Sequence, residues 1–145
     1  MKRILIAALM FAASTPAFAA STNIEIHVRC LADNIYYEAG NQGEKGMIAV
    51  SKVVINRTND PRFPSTICEV VKQRSKGKCQ FTWVCSKANR HKDVVLYAKA
   101  REVAERVLTQ DVEDPTKGSL FFHSGKVKAF KRKMMVKIGN HIFYK

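Results

Sequence analysis

The stretch His27-Val28-Arg29-Cys30-Leu31-Ala32-Asp33-Asn34-Ile35-Tyr36-Tyr37-Glu38-Ala39 sets Val28, Leu31, Ala32, Ile35 and Ala39 at the i, i+3, i+4 spacing of one helix face. It predicts a first helix over His27 to Ala39, closed by the breaker run Gly40-Asn41-Gln42-Gly43. Next, from Glu44 to Arg57, the runs Met47-Ile48-Ala49-Val50 and Val53-Val54-Ile55 are apolar nearly all round. A helix of that kind is buried on most of its sides, so this second helix is the expected centre of the fold. Asn59-Asp60-Pro61 marks its end.

Outward from this pair, Thr66 followed three residues later by Glu69 has the form of a capping box and opens a short helix over Ile67 to Gln73. Arg74 to Arg90 is basic, polar and aromatic, and reads as a surface excursion. A fourth helix, Asp93 to Thr109, carries Leu96, Ala100, Val103 and Val107 on one stripe. Leu120-Phe121-Phe122 and Met134 to Ile138 read as strands, and Gly139-Asn140 is a two-residue turn into His141-Ile142-Phe143-Tyr144. Helices first and strands last give an α+β layout: a compact helical domain with a small C-terminal antiparallel sheet. The 145 residues suit one globular unit, and no repeat or low-complexity stretch marks a second.

The first residues are set apart. Lys2 and Arg3, the apolar run Ile4 to Ala13 and the Ala17-Phe18-Ala19 site have the order of a secretory signal peptide, expected to be removed after Ala19 and to leave a catalytic domain over 20–145. An apolar run of about ten residues is roughly half of what a bilayer-spanning helix needs, so no stable membrane insertion is expected after cleavage. Export to the periplasm, envelope or exterior lets disulfides persist. Cys30, Cys68, Cys79 and Cys85 permit three pairings, of which Cys79–Cys85 closes a local loop and Cys30–Cys68 ties two helices. Zinc is disfavoured because no CxxC pair or His-x-x-x-His set is present. The formal charge of +13 falls to +11 without Lys2 and Arg3, which suits a polyanionic surface. For an exported protein that surface is an anionic envelope and not nucleic acid.

Glu38 stands out on physical grounds. Seven residues beyond Leu31, it lies about 20° from it around the helix axis, at the edge of the apolar stripe. A carboxyl there loses solvent, and the negative end of the helix dipole opposes a further negative charge. Both effects raise its pKa, as a general acid near neutral pH requires.

Several motifs resemble the spore cortex-lytic cell wall hydrolase family of the SleB type. They are Leu31 to Ala39, then Gly46 to Val50 with Val53-Val54-Ile55-Asn56-Arg57, Asp60-Pro61-Arg62-Phe63-Pro64-Ser65-Thr66-Ile67-Cys68, Cys79-Gln80-Phe81-Thr82-Trp83, Leu120-Phe121-Phe122-His123 and Lys137 to Tyr144. They follow the family's order over nearly all of the chain beyond residue 19. The resemblance implies a lysozyme-related fold and cleavage of the glycosidic bond between N-acetylmuramic acid and N-acetylglucosamine, with no metal or other cofactor. It also implies that Glu38 is the catalytic acid of a lytic transglycosylase. This chain departs from the family pattern Glu-Ala-Arg-Gly-Glu, having Glu38-Ala39-Gly40-Asn41-Gln42. Gln42 cannot act as the partner acid of a two-carboxylate hydrolase.

On the same resemblance Gln42, Gln80, Phe81, Trp83, His123 and His141 are candidate substrate contacts. Aromatic faces suit the apolar faces of sugar rings, although Phe81 and Trp83 equally suit packing over the cysteines. His123 and His141 lie on strands, where a buried, hydrogen-bonded histidine is the plainer expectation. Asn56-Arg57 reads as structural, since a cation suits a helix C-terminus. Lys126 to Lys133 is the densest basic stretch, a solvated hairpin loop or an attractor of anionic polymers. The expected partner is peptidoglycan glycan, met as a monomer. Two competing functions are a zinc-dependent amidase cutting the stem peptide and a non-catalytic basic binder of envelope polymer or nucleic acid. The four histidines show no ligand spacing for the first, and the leader speaks against a nucleic-acid partner.

Overall fold

The computed structural model describes residues 17–86, 91–125 and 131–145, with side chains from residue 23 onward. Most of the expected leader, residues 1–16, lies outside the described residues, as do Lys126 and Lys128 of the basic stretch. Helix α1 runs over Ala17–Ala39, α2 over Gly43–Thr58, α3 over Ile67–Lys72 and α4 over Val94–Thr109. Two short strands, β1 (Arg74–Ser75) and β2 (Lys78–Cys79), form a hairpin, followed by a 3-10 turn over Thr82–Cys85. Strands β3 (Phe121–Ser124), β4 (Met134–Ile138) and β5 (His141–Tyr144) form the second sheet.

The α+β expectation holds. On α1 the stripe Val28, Leu31, Ala32, Ile35 and Ala39 is buried, and it packs against α2, α3 and α4. Helix α1 begins ten residues earlier than expected. Asn23, Ile24, Glu25 and Ile26 are exposed, so this turn leaves no apolar stripe by which to read it. Gly40 ends the helix where space is scarce: a Cβ there would lie 2.7 Å from the Tyr36 carbonyl oxygen and 2.8 Å from a Leu96 methyl on α4.

Helix α2 is the centre, with Met47, Ala49, Val50, Val53, Val54 and Arg57 all buried. Ser51, also buried, satisfies its hydroxyl by donating to the Met47 carbonyl at 2.7 Å. The expected Thr66 cap forms, its Oγ1 accepting from the Glu69 N–H at 3.3 Å, and Asp93, read as the first residue of the fourth helix, is its cap, with Oδ1 accepting from the Leu96 N–H at 2.9 Å. Helix α4 buries Ala100, Val103, Ala104 and Val107. Its outer edge is laced to α1 and α2 by exposed Glu25–Arg101 and Glu44–Arg106 pairs, which contribute little in high dielectric.

The C-terminal sheet has the order β3-β5-β4, all antiparallel, so β5 is central. The Gly139-Asn140 turn joins β4 to β5 in the register Ile138↔His141, with Gly139 at φ +56° as such turns demand, and a bulge falls between Met134 and Val136. The segment before β3 is held by Asp114. Its Oδ1 accepts from the Thr116 N–H and hydroxyl at 2.8 and 2.6 Å, and its Oδ2 from the Gly118 N–H and Asn56 Nδ2 at 2.8 and 3.0 Å. Burial pushes the Asp114 carboxyl up, but these hydrogen bonds outweigh it and hold the pKa below the usual range.

Of the three pairings the cysteines permit, the structure forms Cys30–Cys68, joining α1 to α3, and Cys79–Cys85, closing the loop after β2. The sequence separations of 38 and 6 set their unequal effect on the unfolded chain. Loop-closure entropy gives about 4 kcal/mol for the first and about 2 kcal/mol for the second. Denaturant unfolding of Cys30→Ala/Cys68→Ala and Cys79→Ala/Cys85→Ala should therefore rank the first pair as the costlier loss.

Candidate active site

Glu38 projects from the last turn of α1 into a small cavity of about 130 Å³ that it lines with Arg57, Gln80, Phe81, Thr82 and Phe122. Four pieces of chain build it. Helix α1 supplies the carboxyl, the last turn of α2 supplies Arg57, the segment after β2 supplies residues 80–82, and β3 supplies Phe122. Phe81 is buried, and its ring lies 6.3 Å from that of Phe122, so this wall is apolar.

Burial in this setting raises the Glu38 pKa above the ordinary carboxylate value, and the Arg57 charge opposes the rise without cancelling it. The carboxyl therefore holds its proton to higher pH than an exposed glutamate. Among the residues lining the cavity, Glu38 is the one acid.

Arg57 has surroundings that its place at a helix end did not reveal. It does close α2, as a helix-terminal cation should, but its side chain is only 2% exposed and faces the same cavity as Glu38. Its Nε donates to the Leu120 carbonyl at 2.8 Å, and its guanidinium lies 5.0, 5.5 and 5.7 Å from the ring centres of Phe63, Phe81 and Phe121. Nη1 is buried with no hydrogen-bond partner among the described residues. Desolvation, then the nearby Arg132 charge, lower its pKa to about 10, which leaves it charged at neutral pH. Phe81 and Phe121 are distant from Arg57 in sequence, and Phe63 lies past the end of α2, so no helical spacing revealed the cage.

Of the candidate substrate contacts, Gln80 and Phe81 share the cavity with Glu38. Trp83 lies next door: its indole N–H donates to buried Asn34 Oδ1 at 3.4 Å, and its ring stacks on Tyr37 at 4.7 Å and 19°. It lines an adjoining hollow with Cys30, Asp33, Val71, Lys72 and Val84. His123 and His141 lie behind Phe122. His123 Nε2 is 2.8 Å from the Tyr144 hydroxyl, and buried His141 meets the Phe122 ring edge-on at 5.2 Å. Burial first, then the His123 charge, lower the His141 pKa.

Gln42 is taken up elsewhere. Its Oε1 accepts from the Asn140 N–H at 2.8 Å and its Nε2 donates to Asn41 Oδ1 at 2.6 Å, so it fastens the start of α2 to the β4–β5 turn. A Cβ on Gly139 would lie 2.6 Å from its Oε1. Arg132, the end of the basic stretch, lies 3.5 Å over the Phe121 ring on the outer side of the Arg57 cage.

A helical body, a three-stranded sheet and one desolvated carboxyl in a cavity walled by Phe81 and Phe122 define a small α+β domain. The chain belongs to the Cell Wall Hydrolase family, whose model matches residues 41–144. That match begins just beyond Glu38. The chain is 26% identical over 122 residues to the spore cortex-lytic enzyme of Bacillus subtilis, covering 80% of this chain and 36% of that protein. It is 27% identical over 124 residues to the spore cortex-lytic enzyme of Bacillus cereus, covering 81% and 44%. It thus spans less than half the length of these curated relatives. The catalytic domain of the Bacillus cereus SleB protein superposes with a TM-score of 0.64 at 25% identity, covering 83% of this chain and 91% of that one. The catalytic domain of a germination-specific lytic transglycosylase, SleB of Bacillus anthracis, gives 0.61 at 25%, covering 82% and 93%.

A carboxyl whose folded pKa is raised contributes stability below its unfolded pKa that is lost as pH rises through the folded value. Glu38→Gln removes this loss. Thermal melts from pH 3 to 8 should show the variant level with the parent in acid and increasingly more stable towards neutrality. A gap that is constant across the range would contradict the desolvation of Glu38.

Proposed function

We propose that this domain cleaves the glycan strands of bacterial peptidoglycan, at the bond between N-acetylmuramic acid and N-acetylglucosamine, as a lytic transglycosylase with Glu38 as its acid. The single observation that carries the proposal is a carboxyl, its pKa raised by burial, lining a cavity with no second acid among the described residues. The Glu38 carboxyl gives its proton to the glycosidic oxygen as the bond from the muramic acid C1 breaks with its electron pair on that oxygen. The carboxylate left behind then takes the proton of the C6 hydroxyl as that oxygen bonds to C1, closing a 1,6-anhydro ring. One group serves as acid and then as base, and no water is consumed.

A two-carboxylate hydrolase needs a partner about 5 to 9 Å from the acid. Gln42 offers none, and it is occupied at the β4–β5 turn. Membership of the Cell Wall Hydrolase family and the spore cortex-lytic relatives support the substrate class. The word transglycosylase attached to the Bacillus anthracis domain supports the reaction type. We take Gln80, with buried Phe81 beside it in the Glu38 cavity, as the contact to the sugar at the scissile bond, and the face of Trp83 as the contact to a neighbouring one. We further propose that the first residues direct export and that a mature chain of charge +11 meets the anionic wall outside the cytoplasm. Among the described residues no helix is long and apolar enough to cross a membrane.

Digestion of purified sacculi followed by mass analysis of the muropeptides tests the reaction. The expected products carry anhydro ends, one water lighter than hydrolysed ends. Glu38→Gln should lower the rate about 10³-fold, the usual scale for losing a general acid. Fully hydrated ends would replace the transglycosylase by a hydrolase, and undiminished cleavage by Glu38→Gln would remove Glu38 from the mechanism.

A further inference from the structure

Arg57 carries a feature that a structural role leaves unexplained. A guanidinium has five N–H donors and is costly to bury unless they are used. Here Nε is used on the Leu120 carbonyl, the flat faces meet aromatic rings, and Nη1 is buried with no partner among the described residues, at a cavity that also holds the Glu38 carboxyl. If anchoring β3 were the whole task, a group with one donor would serve at less desolvation cost. The cage instead fixes a positive charge beside the acid of the cavity, with Nη1 without a partner among the described residues.

We propose that Arg57 is the electrostatic partner of the catalytic carboxyl: held rigid by Leu120 and the aromatic cage, it stabilises the carboxylate that Glu38 becomes once its proton has passed to the leaving oxygen. Arg57 is thus a positioning and charge-setting residue that acts through Glu38. The inference rests on the function proposed above, and it sharpens how a single group can be both acid and base. Burial alone would make Glu38 a reluctant acid. A fixed cation at low local dielectric favours the charged form that the transition state is approaching, and it does so without reorganisation. The direction of the Arg57 influence on Glu38 agrees with this.

The groups facing the pair are few. Arg132 bears on Arg57 from the outer side of the Phe121 ring. His141 and His123 stand behind Phe122, and the residues following β2, Gln80 to Thr82, are uncharged. Among the described residues Arg57 is the one cation lining the cavity itself.

The test titrates the Glu38 carboxyl directly by ¹³C NMR, which needs no substrate, in the parent protein, Arg57→Gln and Arg57→Lys. The proposal expects Glu38 in Arg57→Gln to titrate about half a pH unit or more higher, with Arg57→Lys close to the parent. On soluble glycan oligomers kcat should fall about 10²-fold in Arg57→Gln, with KM little changed and the alkaline limb of the profile moved upward. An unmoved Glu38 titration in a folded Arg57→Gln overturns the proposal and leaves Arg57 as an anchor. Should that variant not fold, the parent protein decides the matter by titration at low and high salt. A buried partner is poorly screened, so the Glu38 midpoint should stay put. A midpoint that climbs with salt assigns the influence to surface lysines and overturns the proposal. If the parent cleaves no glycan while the titrations behave as expected, the function proposed for the domain fails and the charge pairing stands.

Discussion

The hydrogen bond from Arg57 Nε to the Leu120 carbonyl joins the two halves of this molecule. Helix α2 is the centre of the helical body, and Leu120 is the residue that leads into the sheet. Beside that bond, Asn56 Nδ2 donates to the Ser119 carbonyl and to Asp114, so the end of α2 grips the segment before β3 at three points. Polar groups buried together in this way must all find partners or pay in desolvation, which gives the junction little freedom to slide. The position of Phe122, two residues beyond Leu120, follows from it, and so does the wall of the cavity facing Glu38.

Much of this was legible in the sequence because it is written in local patterns. The stripe on α1, the all-round apolar character of α2, the cap Thr66 and the Gly139-Asn140 turn each depend on residues a few positions apart. Glu38 was legible for the same reason, since one helical turn fixes its place at the edge of the stripe. Arg57 was not. A cation at a helix end is explained by the helix alone, and its further surroundings come from Phe81, Phe121 and Leu120, brought to it only by the fold. The beginning of α1 was missed because an exposed first stretch has no periodic signal.

Family membership and geometry cover different parts of the chain. The family match starts at residue 41, and Glu38 lies outside it. What links the carboxyl to the matched region is structure: Arg57, Gln80, Phe81, Thr82 and Phe122 all belong to the matched residues and surround it. Gln42 shows the converse. It lies inside the match, at a position where a carboxylate was expected on resemblance, yet its side chain works as a fastener between α2 and the β4–β5 turn.

The strand order β3-β5-β4 has a consequence in time. Strand β5 comes after both of its neighbours in the chain and inserts between them, so neither β3 nor β4 has a partner in the sheet until residues 141–144 arrive. A chain emerging residue by residue carries Glu38 early, in a helix whose end still faces water, where a carboxyl is an ordinary weak acid that gives up its proton well below neutral pH. Phe122, one wall of the cavity around Glu38, is seated in the sheet only when Phe143 of β5 pairs with it. The surroundings that raise the Glu38 pKa thus include a residue, Phe122, that the sheet holds only once its last strand is in place.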